Sequence, residues 1–280
     1  MKQSGFFKQI SERYRSLIER PVTISLLVLL VLAVPVLWLS YGYYQSEFHN
    51  FWGQVLAEAH GMLFDIAVIG ILIYWLNERG QKSQAIRTYK DEIEDFRTWK
   101  SEEAAFRTVG NIKRLNREKI YSINLVECYL TRTNLSHVIL KEANLNNANV
   151  TYANLVQCNL EAARLNQTNF DGSSLNQAIL THAYASGSSF KNAYLIKANL
   201  QSAFLIKSDF ENAFMMEADL KGAYVVGASF KNANLYKADL RGVDGLTLEQ
   251  LTEAKTLHQA KLDDGLMAQI SEQHGELLLR

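Results

Sequence analysis

Neither sign of charge is in surplus: 29 Lys and Arg balance 29 Asp and Glu over 280 residues. No global field therefore recruits nucleic acid or an acidic partner. Cysteine is scarce, and Cys128 and Cys158 alone make neither a disulfide framework nor a zinc cluster. The six histidines (His49, His60, His137, His182, His258 and His274) show no local metal-ligand spacing. There is no Gly-rich phosphate loop and no nucleophile elbow. These absences argue against an enzyme and leave no cofactor to expect. What is present divides sharply. Apolar residues crowd the stretch before about Leu76, and polar, Asn-rich sequence follows.

The run PVTISLLVLLVLAVPVLWLSYGYY, residues 21–44, contains no charged residue. A bilayer takes roughly 20 apolar residues as a helix, so this length predicts a transmembrane span. Trp38, Tyr41, Tyr43 and Tyr44 gather at its far end as an interfacial aromatic belt would, and Pro35 predicts a kink. A cleavable signal peptide is the alternative, but it calls for a shorter apolar core and an Ala-x-Ala-like site that is missing here. A second segment, residues 61–76, is shorter and carries Asp65; extended backward through FWGQVLAEAH it also crosses a bilayer. Lys2, Lys8, Arg13, Arg15 and Arg20 precede the first span, and Arg79, Lys82, Arg87 and Lys90 follow the second. Residues 41–60 have neither Lys nor Arg. The positive-inside rule then puts both termini in the cytoplasm and a loop at about 45–60 outside. This predicts a two-helix hairpin over 21–78 in the inner (plasma) membrane, after a cytoplasmic segment 1–20, with the lipid bilayer as a partner. Asp65 follows Glu58 by seven residues, with His60 nearby. Intramembrane ionisable groups are functional candidates, so these three mark an ion- or proton-sensing site unless Asp65 lies hydrated at the outer interface. The loop does not reproduce the Thr-Val-Gly-Tyr-Gly filter of a potassium channel.

The connector, 79–118, is charged and helical in pattern. Ile86, Tyr89, Ile93 and Phe96 form an apolar stripe that either packs on its own chain or dimerises as a short coiled coil. Ser101, with Glu102 and Glu103 behind it, is placed as an N-cap. The helix it starts would carry Phe106, Val109, Ile112 and Leu115 to the polar half as a cap.

That polar half has a period of five. Apolar residues recur at Leu195, Leu200, Leu205, Phe210, Met215, Leu220, Val225, Phe230, Leu235 and Leu240, each with a small residue two positions earlier. Five residues overshoot a helical turn by about 140°, and an odd period alternates faces on a strand, so neither regular element fits. A chain that turns after every fifth residue does fit. Four such sides close a square coil of about twenty residues, in which equivalent side chains stack. Phe170, Phe190, Phe210 and Phe230 are spaced by twenty, as are Asn192, Asn212 and Asn232, and Asn199, Asp219 and Asp239. Charge alternates in Lys191–Glu211–Lys231 and in Lys197–Glu217–Lys237, which favours stacking.

In KEANLNNANVTYANLVQCNL and MMEADLKGAYVVGASFKNANLYKADL the chain resembles the pentapeptide-repeat family, whose motif is A(D/N)LXX. The frame runs from about Ile120 to Leu240. The resemblance implies a mainly β fold, a right-handed quadrilateral parallel β-helix over 119–243. Leu or Phe and the small residue two before it would fill the interior. Thr133 and Val138 replace that small residue, Ala185 replaces the central one, and Cys128 and Cys158 take small inward slots as packing residues. Roughly six coils at about 4.8 Å give a rod on the order of 30 Å long. After Leu240 the frame stops. Thr247 and Gln250 fit a capping box with Leu246 and Leu251 as its staple, opening a helical cap over 244–280 that includes one degenerate strand at 259–264.

The residue before each inward one points to solvent. There Tyr184, Phe204 and Tyr224 stack on one face, with Ile206 and Val226 extending the stripe. Tyr194 and Phe214 stack on the opposite face, extended by Ile196, Met216 and Tyr236. Such apolar surface either marks a binding site for a protein partner or a second copy of the chain, or only steadies the rod. Three functions remain open: a membrane-anchored, non-enzymatic scaffold, an ion- or envelope-signal sensor or transporter using the hairpin, and, as the family resemblance implies, a topoisomerase-protecting DNA mimic. The last needs an acidic rod, whereas nine acidic residues face ten basic ones over 120–241.

Overall fold

The structure is a computed structural model that describes residues 30–31, 33–39, 41 and 50–279. The five basic residues before the first span, most of that span and the outer loop to residue 49 lie outside the described residues. Two compact units divide the chain, Met1–Ala85 and Ile86–Arg280.

In the first unit the described positions between 30 and 41 are helical, and helix α1 (Asn50–Asp95) begins. Gly53–Asp95 is the one described helix long and apolar enough to cross a membrane. Met62, Phe64, Ile69, Ile71, Ile73 and Leu76 are all more than half exposed on it. At 100° per residue these positions fall on two opposite sides of the helix, a pattern that suits a span or a buried core helix and not a surface helix with one apolar stripe.

The second unit begins within the last turns of α1, where Ile93 is buried and Ile86 and Tyr89 pack against the same core. Three of the four residues of the connector's apolar stripe therefore pack inside their own chain. Ser101 caps helix α2 (Glu102–Arg117), its hydroxyl accepting from the Ala104 amide at 3.2 Å. Val109, Ile112 and Leu115 enter the core, but Phe106 is exposed. Phe106 falls on the outer side of the helix, and so does not join the cap face that its spacing predicts. Asn116 completes the cap. Its amide accepts from the Ile139 amide at 2.7 Å and donates to the Ile139 carbonyl at 2.9 Å, pairing an edge that has no preceding coil.

From Ile123 one local unit repeats. The inward residue i and the small residue i−2 are buried throughout 123–240, none more than 4% exposed. Residues i+1 and i+2 turn the chain, and the amide of i+3 donates back to the carbonyl of i, as Cys128 does to Leu125 at 3.1 Å. Every i+2 position from Glu127 to Gly242 has positive φ, although only Gly172, Gly187, Gly222, Gly227 and Gly242 are glycines. That left-handed region costs a non-glycine residue about 1 kcal/mol, so contacts between coils must enforce it. They do so at each side: Leu125 N donates to Asn144 O at 2.6 Å, Asn144 N to Ile123 O at 2.9 Å, and Glu127 N to Asn146 O at 3.0 Å. Residues i−1 form parallel bridges twenty apart, from Asn124↔Asn144 to Tyr224↔Asp244. Each side contributes one bridged residue, so the described residues contain bridges but no extended strand. Inside, the rings of Phe170, Phe190, Phe210 and Phe230 stack at centroid spacings of 5.0, 4.9 and 5.4 Å.

The frame does not stop at Leu240. Helix α3 (Leu248–Thr252) takes the place of one side, with the Thr247–Gln250 capping box at its start. Bridging then resumes with two residues inserted, at Asn234↔Thr256 and Asp239↔Lys261, and Leu257 and Leu262 take inward places. Helices α4 (Asp264–Gln273) and α5 (Glu276–Leu279) follow. The Leu257 amide donates to the Leu277 carbonyl at 2.8 Å, so the terminal segment covers the open edge that an unpaired coil would present.

Candidate interaction surface

The outward residues fall into three chemical classes. Asn and Asp at i−1 are turn caps: the Asn154 side chain accepts from the Val156 amide at 3.1 Å, and Asn159, Asn169, Asn199, Asp209 and Asn234 accept likewise from the residue two ahead. Of the two ladders expected from the period of twenty, Asn199–Asp219–Asp239 thus makes local turn contacts, because Oδ1 at i−1 reaches the i+1 amide of its own coil, while Asn192, Asn212 and Asn232 stand at the left-handed i+2 position. Asn146, Asn166, Asn176 and Asp171 do bond across coils, to the amides twenty residues on. Both uses occupy these side chains structurally.

The second class is charged. Lys191 meets Glu211 at 3.1 Å and Asp209 at 3.0 Å, and Lys231 meets Glu211 at 3.5 Å. These lysines hold the Glu211 carboxyl below its ordinary range, Lys191 first through a hydrogen bond. Lys197 meets Glu217 at 3.5 Å, while Lys237 lies over the Tyr236 ring.

The third class is aromatic. On one face, here face 1, the rings of Tyr184, Phe204 and Tyr224 stack at 4.9 and 4.8 Å, within 2° of parallel. On face 2 Tyr194 and Phe214 stack at 4.8 Å. Stacking covers only the ring faces: Tyr184 remains 45% exposed, Tyr194 43%, Tyr224 37% and Phe214 36%. Val226 is exposed, and Phe204, Ile206, Ile196, Met216 and Tyr236 are half-buried. Tyr236 extends face 2 by stacking on His258 at 5.6 Å. Wherever an aromatic ring stands at i−1 the turn cap is forgone. The amides of Ile206, Met216 and Val226 consequently donate to no protein partner among the described residues, whereas those of Ser186 and Ile196 donate to Asn166 and Asn176 of the coil before. At the N-terminal end of face 1 a shallow groove of about 410 Å³ is lined by Glu142, Asn144, Arg164 and Tyr184.

The remaining expected positions are dispersed. Cys128 and Cys158 are buried in their small slots, and burial pushes both thiols up to about 12. Asp65 and Glu58 are exposed on α1, and a helix separates them by about 10 Å along its axis, beyond direct pairing. His60 Nδ1 lies 2.7 Å from the carbonyl of Leu56 on the same helix. Among the described residues no group of three His, Cys, Asp or Glu side chains is placed to hold a metal ion.

Comparison with known proteins completes the picture. Eight copies of pentapeptide repeats match residues 123–161, 153–192, 180–212 and 213–244. No curated protein matches the chain. Among solved structures it is similar to HetL, a pentapeptide repeat protein involved in heterocyst differentiation regulation in the cyanobacterium Nostoc. Identity is 24%, over 55% of this chain and 79% of that one, with a TM-score of 0.32. A pentapeptide repeat protein of the Arabidopsis thaliana thylakoid lumen is 25% identical over 38% of this chain and 70% of its own, with a TM-score of 0.25. QnrB1, a plasmid-mediated fluoroquinolone resistance protein, is 17% identical over 57% and 93%, with a TM-score of 0.27. Residues 123–244 of this chain belong to the pentapeptide-repeat family.

Proposed function

We propose that this chain is a membrane-anchored, non-enzymatic scaffold whose rigid coil presents aromatic faces to another protein. The observation that carries the reading is the exposed aromatic ladder of face 1, which gives up turn caps that sides with Asn or Asp at i−1 keep. Exposed contiguous apolar surface of this kind marks protein contact sites. The anchor would be the apolar part of α1 together with the preceding span, in the plasma membrane with both termini cytoplasmic. A DNA-mimicking role finds no support in the neutral balance of the repeats.

The test is affinity capture of the detergent-extracted full chain, in parallel with a Phe204→Asn, Tyr224→Asn double variant. A reproducible partner of the parent chain that the variant loses supports the scaffold. Equal capture by both chains moves the contact elsewhere, and the reading is then wrong.

A further inference from the structure

We infer that face 1 carries a self-complementary strip that pairs two copies of this chain side by side in antiparallel register. The inference rests on face 1 being a protein contact surface, and it names the partner. Successive parallel bridges join Arg164, Tyr184, Phe204, Tyr224 and Asp244 into one column. The column begins at Asn124 and Asn144; its last five residues are a palindrome in chemistry, with a cation and an anion outermost, tyrosines inside them and a single phenylalanine in the middle.

Two copies facing each other across a plane are related by a two-fold axis lying in that plane. An axis along the coil direction would set every rung against itself, Arg164 against Arg164 and Asp244 against Asp244. An axis across the coils at the level of Phe204 reverses the order. Arg164 then meets Asp244 of the second copy at both ends, Tyr184 meets Tyr224, and Phe204 and Ile206 meet their own counterparts. Coulomb's law separates the two arrangements: the first places like charges together and the second opposite charges. Both end groups are exposed, and neither side chain makes a hydrogen bond or ion pair among the described residues. Asp239, one side away, is by contrast held by Arg241 at 2.7 Å. Face 2 has no such ends, since its column runs Ser174, Tyr194, Phe214, Asn234.

Five rungs, four steps of about 4.8 Å, span roughly 19 Å. A strip of that length and one coil side in width falls well below the roughly 800 Å² per partner of a stable dimer. The pairing is therefore weak, and trapping suits it better than isolation. Cys128 and Cys158 are buried, so an introduced surface thiol reports alone. In membranes holding the full chain, Ile206→Cys should link to itself under mild oxidation, while Met216→Cys on face 2 should not. Chains with Arg164→Cys should link to chains with Asp244→Cys, and neither variant to itself. In the Ile206→Cys background, Arg164→Asp should cut linkage about tenfold, and adding Asp244→Arg should restore it. Far-UV circular dichroism checks that each variant is folded.

Self-linkage of Arg164→Cys, absence of linkage at Ile206→Cys, or a charge swap that fails to rescue overturns the pairing. Capture of another protein through face 1 without self-linkage sinks the pairing and leaves the scaffold. Loss of both sinks both. Self-linkage without other capture makes the second copy the partner.

Discussion

Replacing Phe204 and Tyr224 with Asn separates binding from stability, because it restores the residue type that other coils carry at i−1. The variant loses two ring stacks, Tyr184–Phe204 and Phe204–Tyr224. Each is worth about 0.5–1.5 kcal/mol beyond area. Trading half-covered rings for Asn forfeits a further ~1–2 kcal/mol of apolar burial. Against this, two side-chain oxygens gain the free amides of Ile206 and Val226, in the geometry that Asn154 uses toward Val156. Each such bond returns about 0.5–1.5 kcal/mol. The balance is a loss of about 1–2 kcal/mol, or roughly 2–8 °C in Tm for a unit of this size. Thermal unfolding of the detergent-extracted chain followed by circular dichroism measures it, alongside partner capture and self-linkage. A fall near that of an interior Phe→Ala change, with contacts intact, would show that the rings are structural and refute the reasoning.

An interior change sets that scale. Phe210→Ala should cost about 3–5 kcal/mol in urea unfolding and Phe210→Leu about 1, since Leu fills the equivalent inward position at Leu130 and on the other sides of the coil; equal losses would contradict the packed ring ladder. The two thiols bind their protons more tightly when folded than unfolded, so their stability contribution is full below about pH 9. It is lost as pH rises toward 12, at about 1.4 kcal/mol per unit for each thiol. Cys128→Ala with Cys158→Ala should flatten thermal stability between pH 9 and 11 relative to the parent, and an unchanged slope would rule the buried thiols out as the cause. Glu211→Lys puts a third lysine between Lys191 and Lys231; Tm should drop in low salt and recover toward the parent near 1 M salt, and a drop indifferent to salt would exclude the charge ladder.

The inward pattern was legible in sequence because two of every five residues face one narrow interior, where nothing but an aliphatic, a Phe or a small residue fits. Thr133 shows the tolerance of that rule: its hydroxyl is buried, yet it donates to the Leu130 carbonyl at 2.7 Å. The helix caps were legible too, since Ser101 and Thr247 act through neighbours three residues away. What escaped depended on backbone geometry across coils. A two-residue insertion after Leu240 hides the resumed frame, because Leu257 loses its five-residue phase while keeping its place over Leu235. Period alone made the Asn positions look like ladders, whereas the reach of Oδ1 makes those at i−1 local caps. Arg164 and Asp244 escaped because the stripe was sought among apolar residues, and its ends are charges.

A repeat constrains where function can be written. In each five-residue side, i and i−2 are fixed by the interior, i+2 by its left-handed backbone, and i−1 by the turn cap it normally supplies. Deviation at i−1 is therefore informative in a way that deviation at i+1 is not, since it gives up a defined hydrogen bond. On face 1 the departures from Asn or Asp are consecutive, at Arg164, Tyr184, Phe204 and Tyr224. Departures occur on the other columns too, at Tyr129, Ile139, Ile179, Tyr194 and Phe214, but on face 1 an unpaired cation and an unpaired anion flank the aromatic run. Stacking explains the rings' mutual order but not the charges, which touch no ring partner and no counter-ion among the described residues. A second surface of reversed order explains both at once.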